Sequence, residues 1–212
     1  MAKIGPEQAQ IFRFTHINNV PWILEHGLHC QNSPEQDPNF VPIGMAELIS
    51  KRRTRRVALA PGGVLADYVP FYFTPFSIMM YNIKTGYNGV TKRSNTEIAV
   101  LVSSLPKLKE VGVKFLFTNR HAYTLQADYF DDLADIHKID WPLIQSQNFK
   151  TDPEDPDKTT RYQAEALAHR HVPIEALIGI ACYDEASRLK IAKAAGTNAA
   201  SLAFKALPNF YF

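Results

Sequence analysis

The chain has 212 residues, 46% of them hydrophobic, and a formal net charge of +2, which suits one compact domain over 1–212 and excludes a disordered polymer. No apolar run approaches the roughly 20 residues that cross a bilayer, and no basic segment leads into an apolar signal region, so a soluble, cytoplasmic protein without a membrane partner is expected. Cys30 and Cys182 are remote from each other and belong to no CxxC or Cys/His cluster, which points to no disulfide framework and no metal, but to two inert, half-buried thiols.

In chain order, Ile11-Phe12-Arg13-Phe14-Thr15-His16 alternates as a strand does. Asn18-Asn19 then offers N-cap oxygens to a short helix that opens with Val20-Pro21-Trp22 and closes at Gly27. Residues 31–42 carry Pro34, Pro38 and Pro42 among Asn, Ser and Asp without periodicity, which predicts a mobile loop of the kind that covers sites. The spacing of Met45, Leu48 and Ile49 predicts a helix over 45–56, stopped before Pro61-Gly62-Gly63. It would carry Lys51, Arg52, Arg53, Arg55 and Arg56, a run that reads either as a solvated face or as a phosphate-contacting surface.

Residues 67–75 form an aromatic strand in which Pro70 removes a ladder donor and so suggests an edge, a bulge or a bend. Residues 97–103 and 114–118 read as buried strands, and 129–137 and 140–147 as helical. Residues 151–160, with Asp152, Glu154, Asp155 and Asp157, read as a second loop. An apolar strand follows over 176–182, Asp184 caps a helix that runs to Gly196, and the chain ends on Phe210-Tyr211-Phe212. Strands dominate with helices at the margins, which is an α+β pattern.

One stretch carries chemistry. Arg161-Tyr162-Gln163-Ala164-Glu165-Ala166-Leu167 leads from a loop directly into an apolar segment, with a single carboxylate at the mouth of a strand. Such a carboxylate can orient a sugar hydroxyl and stabilise the positive charge of an oxocarbenium-like transition state. By position alone a glutamate such as Glu165 is more often an ordinary surface acid.

Four blocks then appear in order: Phe14-Thr15-His16-Ile17-Asn18-Asn19-Val20-Pro21, Pro61-Gly62-Gly63 with Asp67-Tyr68-Val69-Pro70-Phe71-Tyr72-Phe73, Phe117-Thr118-Asn119-Arg120-His121, and Gln163-Ala164-Glu165. In order and spacing they resemble the DarT family of DNA ADP-ribosyltransferase toxins. The resemblance implies an ADP-ribosyltransferase fold, a split and mostly antiparallel β core with peripheral helices that clamps NAD⁺ in a cleft. It implies transfer of ADP-ribose from NAD⁺ to a base, thymine or guanine, of single-stranded DNA. Glu165 would be catalytic together with Arg52, for which Arg53 is the close alternative.

The resemblance assigns Arg13, Thr15, Arg52 and Tyr72 to NAD⁺, with His16 as a further candidate that reads equally well as a structural histidine. Arg53, Arg56, Met79, Arg120 and His121 are assigned to the nucleic acid, His121 also lying near NAD⁺. The block Pro75-Phe76-Ser77-Ile78-Met79-Met80 departs from the family, which carries an arginine there, and this bears on the choice of base. A macrodomain antitoxin of the DarG type is the implied partner. Two other readings compete: a related enzyme acting on RNA, and a non-catalytic single-strand-binding module that needs no NAD⁺.

Overall fold

The computed structural model describes residues 4–195 and 202–212. Strand β1 (Gln10–His16) follows the alternating pattern, with Ile11 in one apolar cluster and Phe12 and Phe14 in another on the opposite side. It pairs along its whole length with β4 (Ile98–Ser104), from Gln10↔Ser104 to His16↔Ile98. With β3 (Tyr68–Tyr72) it pairs at one position, Phe12↔Tyr72. The sheet therefore splits between β1 and β3.

Pro70 lies in an interior strand, between β1 and β7 (Glu165–His169), rather than at an outer edge. One residue's N–H and C=O point to the same side of a strand. The Pro70 carbonyl accepts from Arg13 Nη1 at 2.9 Å, so the donor that proline lacks falls in the split, where no ladder is formed. The remaining strands are β2 (Leu28–His29), β5 (Phe115–Thr118), β6 (Tyr129–Phe130), β8 (His171–Val172), β9 (Gly179–Cys182) and β10 (Ala203–Ala206). The main sheet runs β10-β9-β4-β1-β3-β7-β5-β6, antiparallel except at β10-β9, and β2 pairs with β8 in a small second sheet.

Helices α1 (Val20–His26), α2 (Ala46–Arg52), α3 (Ile78–Thr85), α4 (Leu105–Glu110), α5 (Trp141–Ser146), α6 (Lys158–Tyr162) and α7 (Glu185–Ala195) lie around the sheet, so the α+β architecture with a mostly antiparallel core is present. None of them is long and apolar enough to cross a membrane. The C-terminal aromatics are built in: Phe210 packs edge-on against Phe12 at 5.7 Å, and the Tyr211 hydroxyl lies 2.9 Å from the Ile98 carbonyl and 3.0 Å from that of Ala181, which share its one proton.

Several elements differ from expectation. Helix α2 stops at Arg52 because the following backbone is taken by another partner: Leu65 N–H donates to Arg55 O and Val57 N–H to Gly63 O, with Arg56 bridging Val64. Gly63, at φ 80°, allows that return, since a Cβ there would sit 2.5 Å from Asp67 Oδ2. Tyr129-Phe130 is an edge strand rather than the start of a helix, because Phe130 pairs with Phe117 on β5 and stacks on its ring at 5.4 Å. A helix opens at Lys158, inside the segment expected to be loop, and Ile174–Ala176 is a 3₁₀ turn ahead of β9. Asp184 caps α7 by accepting from Ser187 N–H, whereas the expected stop at Gly196 lies outside the described residues. Both cysteines are fully buried rather than half-buried.

Asn19 does not cap α1. Its amide instead donates to Thr15 Oγ1 at 3.1 Å and to Val41 O at 2.9 Å, while its oxygen accepts from Val41 N–H at 2.8 Å. The residue is completely buried and ties the irregular 31–42 segment to the end of β1.

Candidate active site

Glu165 opens β7, opposite Tyr72 on β3, and is 2% exposed. Both carboxylate oxygens are held: Oε2 accepts from Arg52 Nη1 at 2.9 Å and Oε1 from Ala122 N–H at 3.0 Å. Burial pushes this carboxyl's pKa up, but the charge of Arg52, the nearby His121 and the Ala122 N–H outweigh burial and hold it below the usual value. Glu165 is therefore an anion at neutral pH.

Arg52 arrives at this anion from the last position of α2, with 9% exposure. Its Nη2 is buried and has no hydrogen-bond partner among the described residues, and the same holds for Arg13 Nε. Arg13 reaches in from β1, with its Nη1 spent on the Pro70 carbonyl. Burial, opposed by Tyr72 and aided by the repulsion of Arg52, pushes the Arg13 pKa down to about 10, so it is still a cation at pH 7. Two cations with unspent donors, lining one cleft with a carboxylate, form a place where an anionic or polar ligand completes the hydrogen bonding.

His121 follows β5 in the turn that also supplies Ala122. Burial pulls its pKa down, against the attraction of Glu165 and with help from Arg52. Its Nδ1 accepts from Tyr123 N–H at 3.2 Å, which places the ring proton on Nε2. The 3.7 Å approach of Nδ1 to Glu165 is thus a contact with a neutral imidazole rather than an ion pair. Tyr72 remains a phenol, since burial and then Glu165 raise its pKa, and its hydroxyl donates to Met79 Sδ at 3.4 Å.

Seven of the residues singled out in the sequence line this one cleft: Arg13, Thr15, Arg52, Tyr72, Met79, His121 and Glu165. The cleft sits at the β1–β3 split and is lined on one side by Phe40 and Pro42 from the segment that Asn19 clamps and by Ile43 next to it. His16 is not in the lining. Alternation turns it away from Thr15, and there its Nδ1 accepts from Asn18 N–H while Nε2 lies 3.6 Å from Glu97, the arrangement of a structural histidine. Arg53 and Arg56 are exposed outside the cleft, because α2 ends between the buried Arg52 and them. Arg120 is paired with Asp157 at 3.2 Å.

Three contributors to the site have no signal in the sequence: Asn19 as a clamp, Ala122 as a main-chain donor, and Thr118, whose hydroxyl accepts from Glu165 N–H at 3.1 Å. A main-chain donor leaves no residue-type signal. The pairing of Thr118 with Glu165 depends on strand register, which no local pattern reveals. Among the described residues there is no group of three or more His, Cys, Asp or Glu side chains arranged to hold a metal.

A model of the DarT family, described as single-stranded-DNA thymidine ADP-ribosyltransferase, matches residues 12–212. A DNA ADP-ribosyl transferase of Escherichia coli O127:H6 is 48% identical over 190 residues, which are 90% of this chain and 87% of that protein. One from Thermus sp. strain 2.9 is 36% identical over 87% of this chain and 86% of that protein. Among solved structures, Thermus sp. 2.9 DarT in complex with ADP-ribosylated single-stranded DNA matches with a TM-score of 0.86 at 30% identity, covering 100% of both chains. Its complex with NAD⁺ matches at 0.82, covering 98% of this chain and 99% of that one. The chain belongs to the DarT family and is an NAD⁺-dependent DNA ADP-ribosyltransferase.

Proposed function

We propose that the enzyme joins ADP-ribose from NAD⁺ to a thymine of single-stranded DNA, with Glu165 and Arg52 at the reacting centre. The observation that carries this assignment is the buried Arg52–Glu165 pair in a cleft where Arg13 and Arg52 keep unspent N–H donors. In the reaction the bond from the anomeric carbon to nicotinamide breaks, a bond to a base nitrogen forms, and that nitrogen gives up a proton. An ionised carboxylate stabilises the positive charge that builds on the sugar and can take that proton.

Arg13, Thr15, Arg52 and Tyr72 are the residues of this chain that would hold NAD⁺, with the free guanidinium donors suited to its phosphates. Met79 and His121 line the same cleft and suit the base, His121 as a neutral Nε2–H donor. Exposed Arg53 and Arg56 supply phosphate contacts, and Arg120 sits beside His121 with its charge already met by Asp157. Thymine as the base is supported by the family description, and DNA as acceptor by the Thermus sp. 2.9 DarT complex with ADP-ribosylated single-stranded DNA. A toxin role with a DarG-type macrodomain antitoxin as partner follows from kinship with DarT.

The test is in two arms. NAD⁺ should raise the melting temperature, which it does not do for a bare nucleic-acid-binding module. One thymine-containing oligonucleotide, offered alone, annealed to its complement and as RNA, should then be modified fastest as single-stranded DNA, since extracting a stacked base costs a few kcal/mol. Faster transfer to RNA would move the assignment to an RNA-modifying enzyme.

A further inference from the structure

We propose that Thr118 is a positioning residue for the transfer reaction: its buried hydroxyl locks the main chain of Glu165 and the turn that grips the Glu165 carboxylate into one unit. The inference rests on the reading of Glu165 as the catalytic carboxylate.

Strands β5 and β7 pair at Phe115↔Ala168, Leu116↔Leu167 and Phe117↔Ala166, and the ladder stops one residue short of Glu165. At that point the Thr118 side chain takes over. Its Oγ1 accepts from Glu165 N–H at 3.1 Å and lies 2.6 Å from Arg120 O, against 3.4 Å from Glu165 O. A hydroxyl has one proton to give, and the shorter contact shows that it goes to Arg120. Two residues further on, Ala122 N–H donates to Glu165 Oε1 at 3.0 Å.

These bonds close a circuit. It runs from the Glu165 N–H through the Thr118 hydroxyl to the Arg120 carbonyl, along the turn to Ala122, and back to the carboxylate of the same glutamate. The outer side of the turn is pinned by Tyr129 OH on Ala122 O at 2.6 Å and by His121 N–H on Thr160 O at 2.8 Å. Thr118 has no exposed surface, so nothing readily replaces its hydroxyl. Removing it leaves the Glu165 N–H buried and unpaired and frees the Arg120 end of the turn. The Ala122 N–H is one of the groups that hold the Glu165 pKa down. Loosening it moves the carboxyl toward protonation, so the effect reaches catalysis through Glu165 rather than through NAD⁺ binding.

The experiment compares wild type, Thr118→Val, Thr118→Ser and Thr118→Cys for kcat, KM for NAD⁺ and the acid limb of the kcat–pH profile, with Glu165→Gln as control. Valine keeps the shape and removes the hydroxyl. The expectation is a fall in kcat of about tenfold or more for valine with KM for NAD⁺ within about threefold, the size expected when a buried polar group loses its partner. The acid limb should move to higher pH. Serine should restore most of the rate, and cysteine, a weak donor and acceptor, should fall between serine and valine. If the valine protein fails to fold, the order of serine over cysteine decides. Wild-type kcat in the valine variant, an unmoved acid limb, or serine losing as much as valine overturns the proposal. An inactive Glu165→Gln beside an unaffected Thr118→Val removes this inference alone. Wild-type transfer by Glu165→Gln removes the reading of Glu165 and this inference with it.

Discussion

Arg52 Nη1 donates to Glu165 Oε2 at 2.9 Å, so a helix end and a strand start 113 residues apart meet as a buried ion pair. Neither partner has enough exposed surface for water to compensate the loss of the other. Arg52→Ala should therefore destabilise the fold by about 3–5 kcal/mol, the cost of leaving one charge of a buried pair alone. Arg52→Lys keeps a charge without the planar fork and should preserve more of the stability than of the activity. Arg53→Ala, on an exposed side chain, should leave the melting temperature and kcat near wild type. Thermal melts and initial rates on the three variants check this, and a melting temperature unchanged in Arg52→Ala would show that the pair contributes nothing to folding.

A second expectation concerns acid. The Glu165 pKa is held below its ordinary 4.5, so its contribution to stability is complete above that value and is lost as pH falls through the folded pKa. His121 is drawn below its ordinary 6.5 and is favourable when neutral, so its contribution is complete above 6.5 and is lost as pH falls further. Both act in the same direction. Melting temperature should fall as pH drops from 7 toward 4, and Glu165→Gln should flatten the part of the curve below 4.5. Parallel curves for the variant and the wild type would contradict the assignment of that limb to Glu165.

Asn19 makes three hydrogen bonds that hold residues 31–42 against β1, and Phe40, Pro42 and Ile43 from or beside that segment line the cleft. Asn19→Ala should lower stability by about 1–3 kcal/mol, the cost of leaving its buried partners unsatisfied. It should also raise KM for NAD⁺ more than it lowers kcat. A variant with the reverse pattern would place the residue's influence on the reacting centre instead.

Salt separates the arginines that bind phosphate from those that do not. Single-strand affinity should fall with log salt at a slope that shrinks by about 0.7 for each of Arg53→Ala and Arg56→Ala. Arg120→Ala should change the slope less, since its charge is already paired with Asp157. Equal slopes in the wild type and the Arg53 and Arg56 variants would place the DNA backbone elsewhere.

The strand at β1 and the position of Glu165 at a strand mouth were legible because each depends on local pattern alone: alternation in one case, a loop running into an apolar segment in the other. Family resemblance implied only that Arg52, or Arg53 beside it, acts together with Glu165; their meeting had no signal in the sequence, since no periodicity links residues 113 apart. What escaped the sequence was decided by tertiary partners. Pro70 suggests an edge, a bulge or a bend, and it occupies an interior strand because the sheet parts beside it. Tyr129-Phe130 was taken from helix to strand by the open edge of β5. Asn19, with the side chain of a good helix cap, was claimed instead by Val41 and Thr15, partners that only the folded chain brings near.

The central claim is that Glu165 drives transfer of ADP-ribose to thymine in single-stranded DNA. It is tested most directly by mass spectrometry of short single-stranded oligonucleotides, with and without thymine, incubated with NAD⁺ and either the wild-type protein or Glu165→Gln. The account predicts a mass gain of one ADP-ribose on thymine-containing strands with the wild type, none on strands lacking thymine, and none with the variant although NAD⁺ still stabilises it to heat. Equal modification of strands that lack thymine, or wild-type modification by Glu165→Gln, would contradict it.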